Sequence, residues 1–237
     1  NASVSNAWKK WQGEVKGIRK MKTVATKKAY EKAFNEWAKG TEYENITNKL
    51  AALYAELEPY TFATDYYNET VRTVEVANFA MTIARLFKKE KDESGKESYS
   101  YKAEKASELS EAFFKDWFLP IDKESFVAVM NEYEKNVPDN FKPAYYKEKI
   151  AEYGSAQAWA DDLFSTTLFI DEEKVKQLTA EDMEKVYDDP AVVFFNEFLK
   201  WYSADVQPHT NRLNQDLQLA YRDYMRGQME FAEATDG

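Results

Sequence analysis

The chain has one histidine, His209, in Val206-Gln207-Pro208-His209-Thr210-Asn211, and histidine is the side chain best placed to move a proton near neutral pH. A serine triad needs that imidazole beside a nucleophile, with a carboxylate to orient it. The chain offers no strained nucleophile elbow and no glycine-rich oxyanion loop. His209 is therefore read as a capping or surface residue at a helix start. A di-iron bundle needs Glu-x-x-His pairs, which one histidine without a Glu three residues before it cannot supply. Asp161-Asp162, Asp171-Glu172-Glu173 and Asp188-Asp189 are acidic clusters without the turn glycine and closing Glu of a calcium loop. With no cysteine there is no thiol nucleophile and no thiolate metal site. The residues thus assemble no catalytic group and imply no cofactor and no metal.

Asn6 offers a different chemistry. Its amide has an acceptor oxygen and a two-proton donor, and it sits just before Trp8, Trp11, Val15 and Ile18, spaced as one helical face. On the residues alone, Asn6 is a helix cap or a polar surface residue.

The surrounding composition is that of a packed helical protein. Six Trp, sixteen Tyr and fifteen Phe in 237 residues can bury a large area, whereas seven Gly and six Pro are too few for the turns of a sandwich or barrel. The net charge of −10 and the lack of a basic stripe argue against nucleic acid as a partner. No apolar run approaches the ~20 residues of a membrane span, so no membrane partner is expected. The chain opens without Met, directly on a helical pattern, which is the expectation for a mature or excised fragment.

Periodicity predicts a first helix continuing past Gly13 and Gly17 to Trp37, the two glycines marking a bend or a close contact. A second helix spans about Tyr43 to Leu57 and ends at Pro59. A third runs from about Asp65 to Lys89, and Lys91-Asp-Glu-Ser-Gly-Lys-Glu (91–97) is an exposed tip. A fourth, about Tyr101 to Trp117, returns as an antiparallel hairpin, punctuated by Pro120. Asp122 looks like the N-cap of a helix carrying Phe126, Met130 and Tyr133, and Pro138 and Pro143 bracket a connection. Shorter helices follow at about 144–153, 155–164, 172–178 and 180–187. The apolar helix opening at Pro190 should be central, and the last runs from about Thr210 to Phe231. The fold class is all-α: an irregular multi-helix domain of about nine to eleven helices with long antiparallel hairpins, forming one domain over 1–237.

Seven segments, in order, resemble the helical domain of the bacterial serine dipeptidyl-peptidases of peptidase family 46, the group of dipeptidyl-peptidases 7 and 11 and the dipeptidyl aminopeptidases. They are Ser-Val-Ser-Asn-Ala-Trp-Lys-Lys-Trp-Gln-Gly-Glu-Val-Lys-Gly (3–17), Lys-Lys-Ala-Tyr-Glu-Lys-Ala-Phe-Asn-Glu-Trp (27–37), Phe-Phe-Lys-Asp-Trp (113–117) and Val-Pro-Asp-Asn-Phe-Lys-Pro (137–143). Asp-Asp-Leu-Phe-Ser-Thr-Thr-Leu-Phe-Ile-Asp-Glu-Glu-Lys (161–174), Asp-Asp-Pro-Ala (188–191) and Tyr-Met-Arg-Gly-Gln-Met-Glu (224–230) complete the set.

The resemblance implies a helical cap inserted into a chymotrypsin-like double β-barrel that carries the Ser, His and Asp, none of which has a matching position here. It implies a peptide substrate with a free N-terminus, a catalytic β-barrel of the same chain as partner, a homodimeric parent as one option, and a periplasmic or cell-surface location. In that family an Asn of the helical domain helps bind the substrate α-amino group, and its match here is Asn6. A free-standing helical module that binds protein or peptide through an aromatic groove is the alternative.

Overall fold

The structure, a computed structural model, describes residues 2–91 and 97–235. Ten α-helices of ten or more residues and two of five lie among the described residues, with one two-stranded sheet. The all-α expectation holds. The chain divides into two compact units, one of residues 1–57 and 212–237 and one of residues 58–211.

The first unit holds α1 (Ala2–Lys20), α2 (Thr23–Trp37), the start of α3 (Ile46–Thr70) and most of α12 (Gln207–Thr235). The expected single helix to Trp37 is broken at Lys22, whose φ of +52° is the left-handed conformation that commonly ends a helix. Gly13 and Gly17 are not the cause: both lie inside α1, and a Cβ built on either meets nothing within 4 Å. The core is aromatic. Phe34 meets Tyr224 and Phe231 edge-on, at 5.2 and 5.8 Å, and Trp37 stacks on Tyr43. Gly227 lets α12 approach that cluster, because a Cβ there would stand 2.8 Å from Cγ of Tyr43 and 3.2 Å from Cζ of Phe34. The Tyr43 hydroxyl donates to Glu230 at 2.7 Å.

Pro59 does not end a helix, because α3 runs through it to Thr70. Proline removes one backbone donor and crowds the carbonyl four residues back; Ala55 is exposed, so water can reach that carbonyl. The expected helix from Asp65 to Lys89 is instead the end of α3, a turn at 71–74, α4 (Glu75–Ala84) and strand β1 (Phe87–Lys91). Thr70, Val71, Thr73 and Val74 form a β-branched run that holds a helix poorly. β1 pairs antiparallel with β2 (Glu97–Tyr101), placing Phe87 opposite Tyr101, so the helical hairpin expected here is a β-hairpin. Its expected tip falls mostly on residues 92–96, outside the described residues.

The second unit is built on α4, α5 (Ala103–Asp116), α6 (Leu119–Asn136), α7 (Ala144–Tyr153), α8 (Ala156–Thr166) and the short α9 (Glu172–Lys176) and α10 (Met183–Tyr187). At its centre lies α11 (Pro190–Trp201), with Ala191, Val192, Phe194 and Phe198 fully buried, as its apolar circumference predicts. α11 packs on α4, α7, α8 and α10. Pro120 opens α6 rather than closing α5. A π-helical turn at Tyr202–Val206 leads into α12, which begins at Gln207 rather than Thr210.

Candidate functional site

Asn6 is the fifth residue of α1, past the first turn, so it does not cap the helix. Its side chain is exposed. At about 100° per residue, Trp8, Trp11, Val15 and Ile18 share one side, and Asn6 shares the opposite side with Lys10, Gly13 and Gly17. The tryptophans stack at 5.0 Å with 25° between their planes, yet Trp8 is 57% and Trp11 53% exposed. Ile18, Met21 and Val24 are exposed as well. Lys10 faces Glu14 at 4.0 Å.

Each side of α1 suits a different task. Half-exposed stacked indoles offer apolar area that the described residues leave in part uncovered. On the other side, Gly13 and Gly17 remove side chains, so a ligand backbone can come close to the helix beside the Asn6 amide. That amide oxygen can accept from an ammonium, and its NH₂ can donate to a carbonyl.

His209 belongs to the second unit. It is the third residue of α12 and exposed, so it is a surface residue and not a cap, with its ring stacked on Tyr60 at 4.8 Å. The acidic clusters are engaged in structure. Asp161 pairs with Lys123 at 2.7 Å, and Asp162 accepts from the Tyr153 hydroxyl at 2.7 Å. Asp171 caps α9 through the amides of Glu173 and Lys174. Asp189 caps α11 through Ala191 N–H and also accepts from Thr167 Oγ1 at 2.7 Å and Leu168 N–H at 2.8 Å. Burial pushes its carboxyl above the ordinary range, although those three groups and Val192 N–H pull the other way. Among the described residues, no three His, Asp or Glu side chains lie close enough together to hold a metal ion.

Two buried charges follow a logic that spacing could not reveal. Asp122, expected to cap its own helix, lies in the first turn of α6 and caps α4: Oδ1 accepts from Glu75 N–H at 2.9 Å and Oδ2 from Val76 N–H at 2.8 Å. Trp117 Nε1 donates to the same Oδ2 at 3.0 Å. Lys142 donates to the Glu134 carbonyl at 3.0 Å and sits 3.0 and 3.1 Å from the carboxylates of Glu134 and Asp139. Burial pulls its pKa down, but those carboxylates outweigh it and hold the ammonium above its usual range. Saturated in this way, Lys142 fixes the Pro138–Pro143 connection and is no free base.

Comparison with known proteins gives these segments a context. The chain is 28% identical over 244 residues to the Asp/Glu-specific dipeptidyl-peptidase of Capnocytophaga gingivalis, covering 99% of this chain and 33% of that protein. It is 26% identical to the enzyme of the same name from Flavobacterium psychrophilum, over 97% of this chain and 32% of that one. It is 27% identical to dipeptidyl-peptidase 7 of Porphyromonas endodontalis, over 84% of this chain and 24% of the relative. Among solved structures, the crystal structure of Porphyromonas endodontalis DPP11 superposes with a TM-score of 0.68 at 20% identity, covering 90% of this chain and 31% of that chain. The fold is therefore shared with that structure. The chain spans about a third of the length of the curated relatives it matches most fully. The Peptidase S46 family model matches residues 1–237, from the Asn6 helix to the end of α12, and the chain belongs to that family.

Proposed function

We propose that this chain is the helical cap of a serine-type dipeptidyl-peptidase that releases dipeptides from peptide N-termini, and that Asn6 accepts a hydrogen bond from the substrate's free α-ammonium group. The observation that carries the reading is α1 itself. An exposed amide lies on a glycine-lined helix face, opposite an uncovered tryptophan stack, in a family member spanning about a third of its relatives. The tryptophan side packs against the remaining two thirds of the parent protein, which supplies the Ser, His and Asp. The glycine side meets the peptide.

The chemistry follows from what a dipeptidyl-peptidase must measure. Cutting two residues from an end requires acceptors for a cationic amine at a fixed distance from the scissile carbonyl. An amide oxygen is one such acceptor, and a bond to a charged donor is stronger than a neutral one. An acylated N-terminus leaves the acceptor unpaired, which gives selectivity for free amines. Mounting the acceptor on a cap couples substrate capture to closure over the cleft. Relatives bearing the name Asp/Glu-specific dipeptidyl-peptidase support the substrate class, and such an enzyme acts on peptides in the periplasm or at the cell surface.

The test is dipeptide release by the parent protein from a chromogenic dipeptidyl substrate, wild type against Asn6→Ala. Loss of a charge-assisted hydrogen bond of about 1.5–3 kcal/mol should lower kcat/KM roughly ten- to a hundredfold. Unchanged kinetics in a folded variant would remove Asn6 from the substrate site.

A further inference from the structure

A cleft of about 450 Å³ in the second unit is set apart by its charge. Its rim carries Arg72 from the turn after α3 and Arg85 from the end of α4, with the amides of Asn68, Asn78 and Gln207 and the Ser203 hydroxyl around them. No Asp or Glu lines it, in a chain where 42 acidic residues outnumber 32 basic ones. Other clefts on the molecule carry carboxylates, as Asp65, Glu69 and Glu132 do in one and Glu184 and Asp188 in another. Among the described residues, no carboxylate lies within 4.0 Å of either guanidinium, whereas Arg212 and Arg226 are paired.

Both arginines are held by the fold. Asn78 Nδ2 donates to the Arg72 carbonyl at 2.6 Å and to the Val74 carbonyl at 3.0 Å, fixing the turn that presents Arg72. The Arg72 guanidinium itself reaches Asn68 Oδ1 only at 3.4 Å, a long bond that a better acceptor can replace. The Arg85 guanidinium lies 5.9 Å from the centroid of the Phe195 ring, close enough for the ring face to attract it. Both cations act on Tyr67, stacked on Tyr202 at 4.4 Å: burial raises its hydroxyl pKa, and Arg72 and Arg85 each pull it back. Tyr202 and Ser203 belong to the π-helical turn, a costly irregularity that often marks a functional position.

We propose that this cleft binds a peptide carboxylate, either an acidic side chain or a C-terminus. Two guanidinium forks match a planar carboxylate, the apolar wall of Phe195 and Leu199 suits the carbon stem of a residue, and the three amides can pair with peptide groups. The size is that of a site for a small ligand. Inorganic phosphate would use the cations and the amide donors but not the apolar wall.

The test is calorimetric titration of the intact protein with four probes: acetyl-Ala-Glu-amide, acetyl-Ala-Ala with a free C-terminus, uncharged acetyl-Ala-Gln-amide, and inorganic phosphate. Acetylation removes the free amine, so the result does not depend on the role proposed for Asn6. One carboxylate probe should bind at one site, and the tighter of the two identifies the source of the carboxylate. Arg72→Gln and Arg85→Gln should each weaken it roughly ten- to a hundredfold, while Arg222→Gln, at an exposed residue of α12 in the first unit, leaves it unchanged. Both arginines are exposed, and unaltered melting of the variants would show that the fold is kept. The proposal is overturned by failure of both carboxylates to bind, by equal binding of the Gln probe, by tighter binding of phosphate, or by full affinity in both arginine variants.

Discussion

Replacing Asp122 should separate a cap from a mere surface charge. Its carboxylate is 3% exposed and serves three donors: the amides of Glu75 and Val76 at the start of α4, and Trp117 Nε1. Asp122→Ala leaves all three without an acceptor. At about 1.5–3 kcal/mol for a bond to a charged group, and with part of the loss recovered by water at the less buried donors, the net cost is about 3–5 kcal/mol. Asp122→Asn keeps the shape. With its oxygen at the Oδ2 position it still serves Val76 and Trp117, but its NH₂ then faces Glu75 N–H, donor against donor, for about 1–2 kcal/mol. At about 2–4 °C per kcal/mol for a unit of this size, the melting transition of the second unit should fall by about 6–20 °C for Ala and about 2–8 °C for Asn. The assay is thermal unfolding by circular dichroism, with hydrogen exchange at Glu75 and Val76 as the local readout. An Ala variant within 1 kcal/mol of wild type, or an Asn variant as damaged as the Ala one, would refute the reasoning.

Gly227→Ala gains about 1 kcal/mol of helix propensity but drives a Cβ to 2.8 Å from the buried Tyr43 ring. A net loss of about 1–2 kcal/mol is expected in denaturant unfolding of the first unit, and a stabilised variant would mean that α12 can move aside. In an alkaline absorbance titration, Tyr43, Tyr153 and Tyr101 should ionise near pH 12: the first two are pushed up to about 12 chiefly by hydrogen bonds to Glu230 and Asp162, the third by burial. Tyrosines of the unfolded chain ionise near 10, so the unfolded state loses protons first and stability falls between about pH 10 and 12. Tyr43→Phe should make that fall shallower in melts across the range, and an unchanged slope would count against the Tyr43–Glu230 bond.

Much of the helical inventory was legible. Helices α7 and α8 lie within about two residues of their expected limits and α11 opens at Pro190 as expected, because Pro143, Ser155 and Pro190 mark their starts chemically. One failure arises because the deciding partner is remote in sequence, and others because the local signal is weak or missing. The break before α4 is stabilised by Asp122, 46 residues away from Val76, and no local pattern shows it. The strand Glu97–Tyr101 alternates Ser98-Tyr99-Ser100-Tyr101, a signal of period two that the flanking charged residues obscured. Lys22 halts α1 without a glycine or proline. Several residues of the family-like segments proved architectural: Trp117, Asp162, Asp189, Gly227 and Glu230 each hold a neighbour in place. Asn6 holds none of the core, and its place opposite the tryptophans follows from spacing alone. The two arginines of the cleft could not be paired from sequence, because the helix expected from Asp65 to Lys89 would run through both Arg72 and Arg85 and hide the turn between them.

The most direct test is to incubate the parent protein with two peptides that differ only in N-terminal acetylation and follow the products by mass spectrometry. The expected result is stepwise loss of dipeptides from the free peptide and none from the acetylated one. Equal cleavage of both peptides, or release of single residues, would contradict an amine-measuring cap and with it the function proposed for this chain.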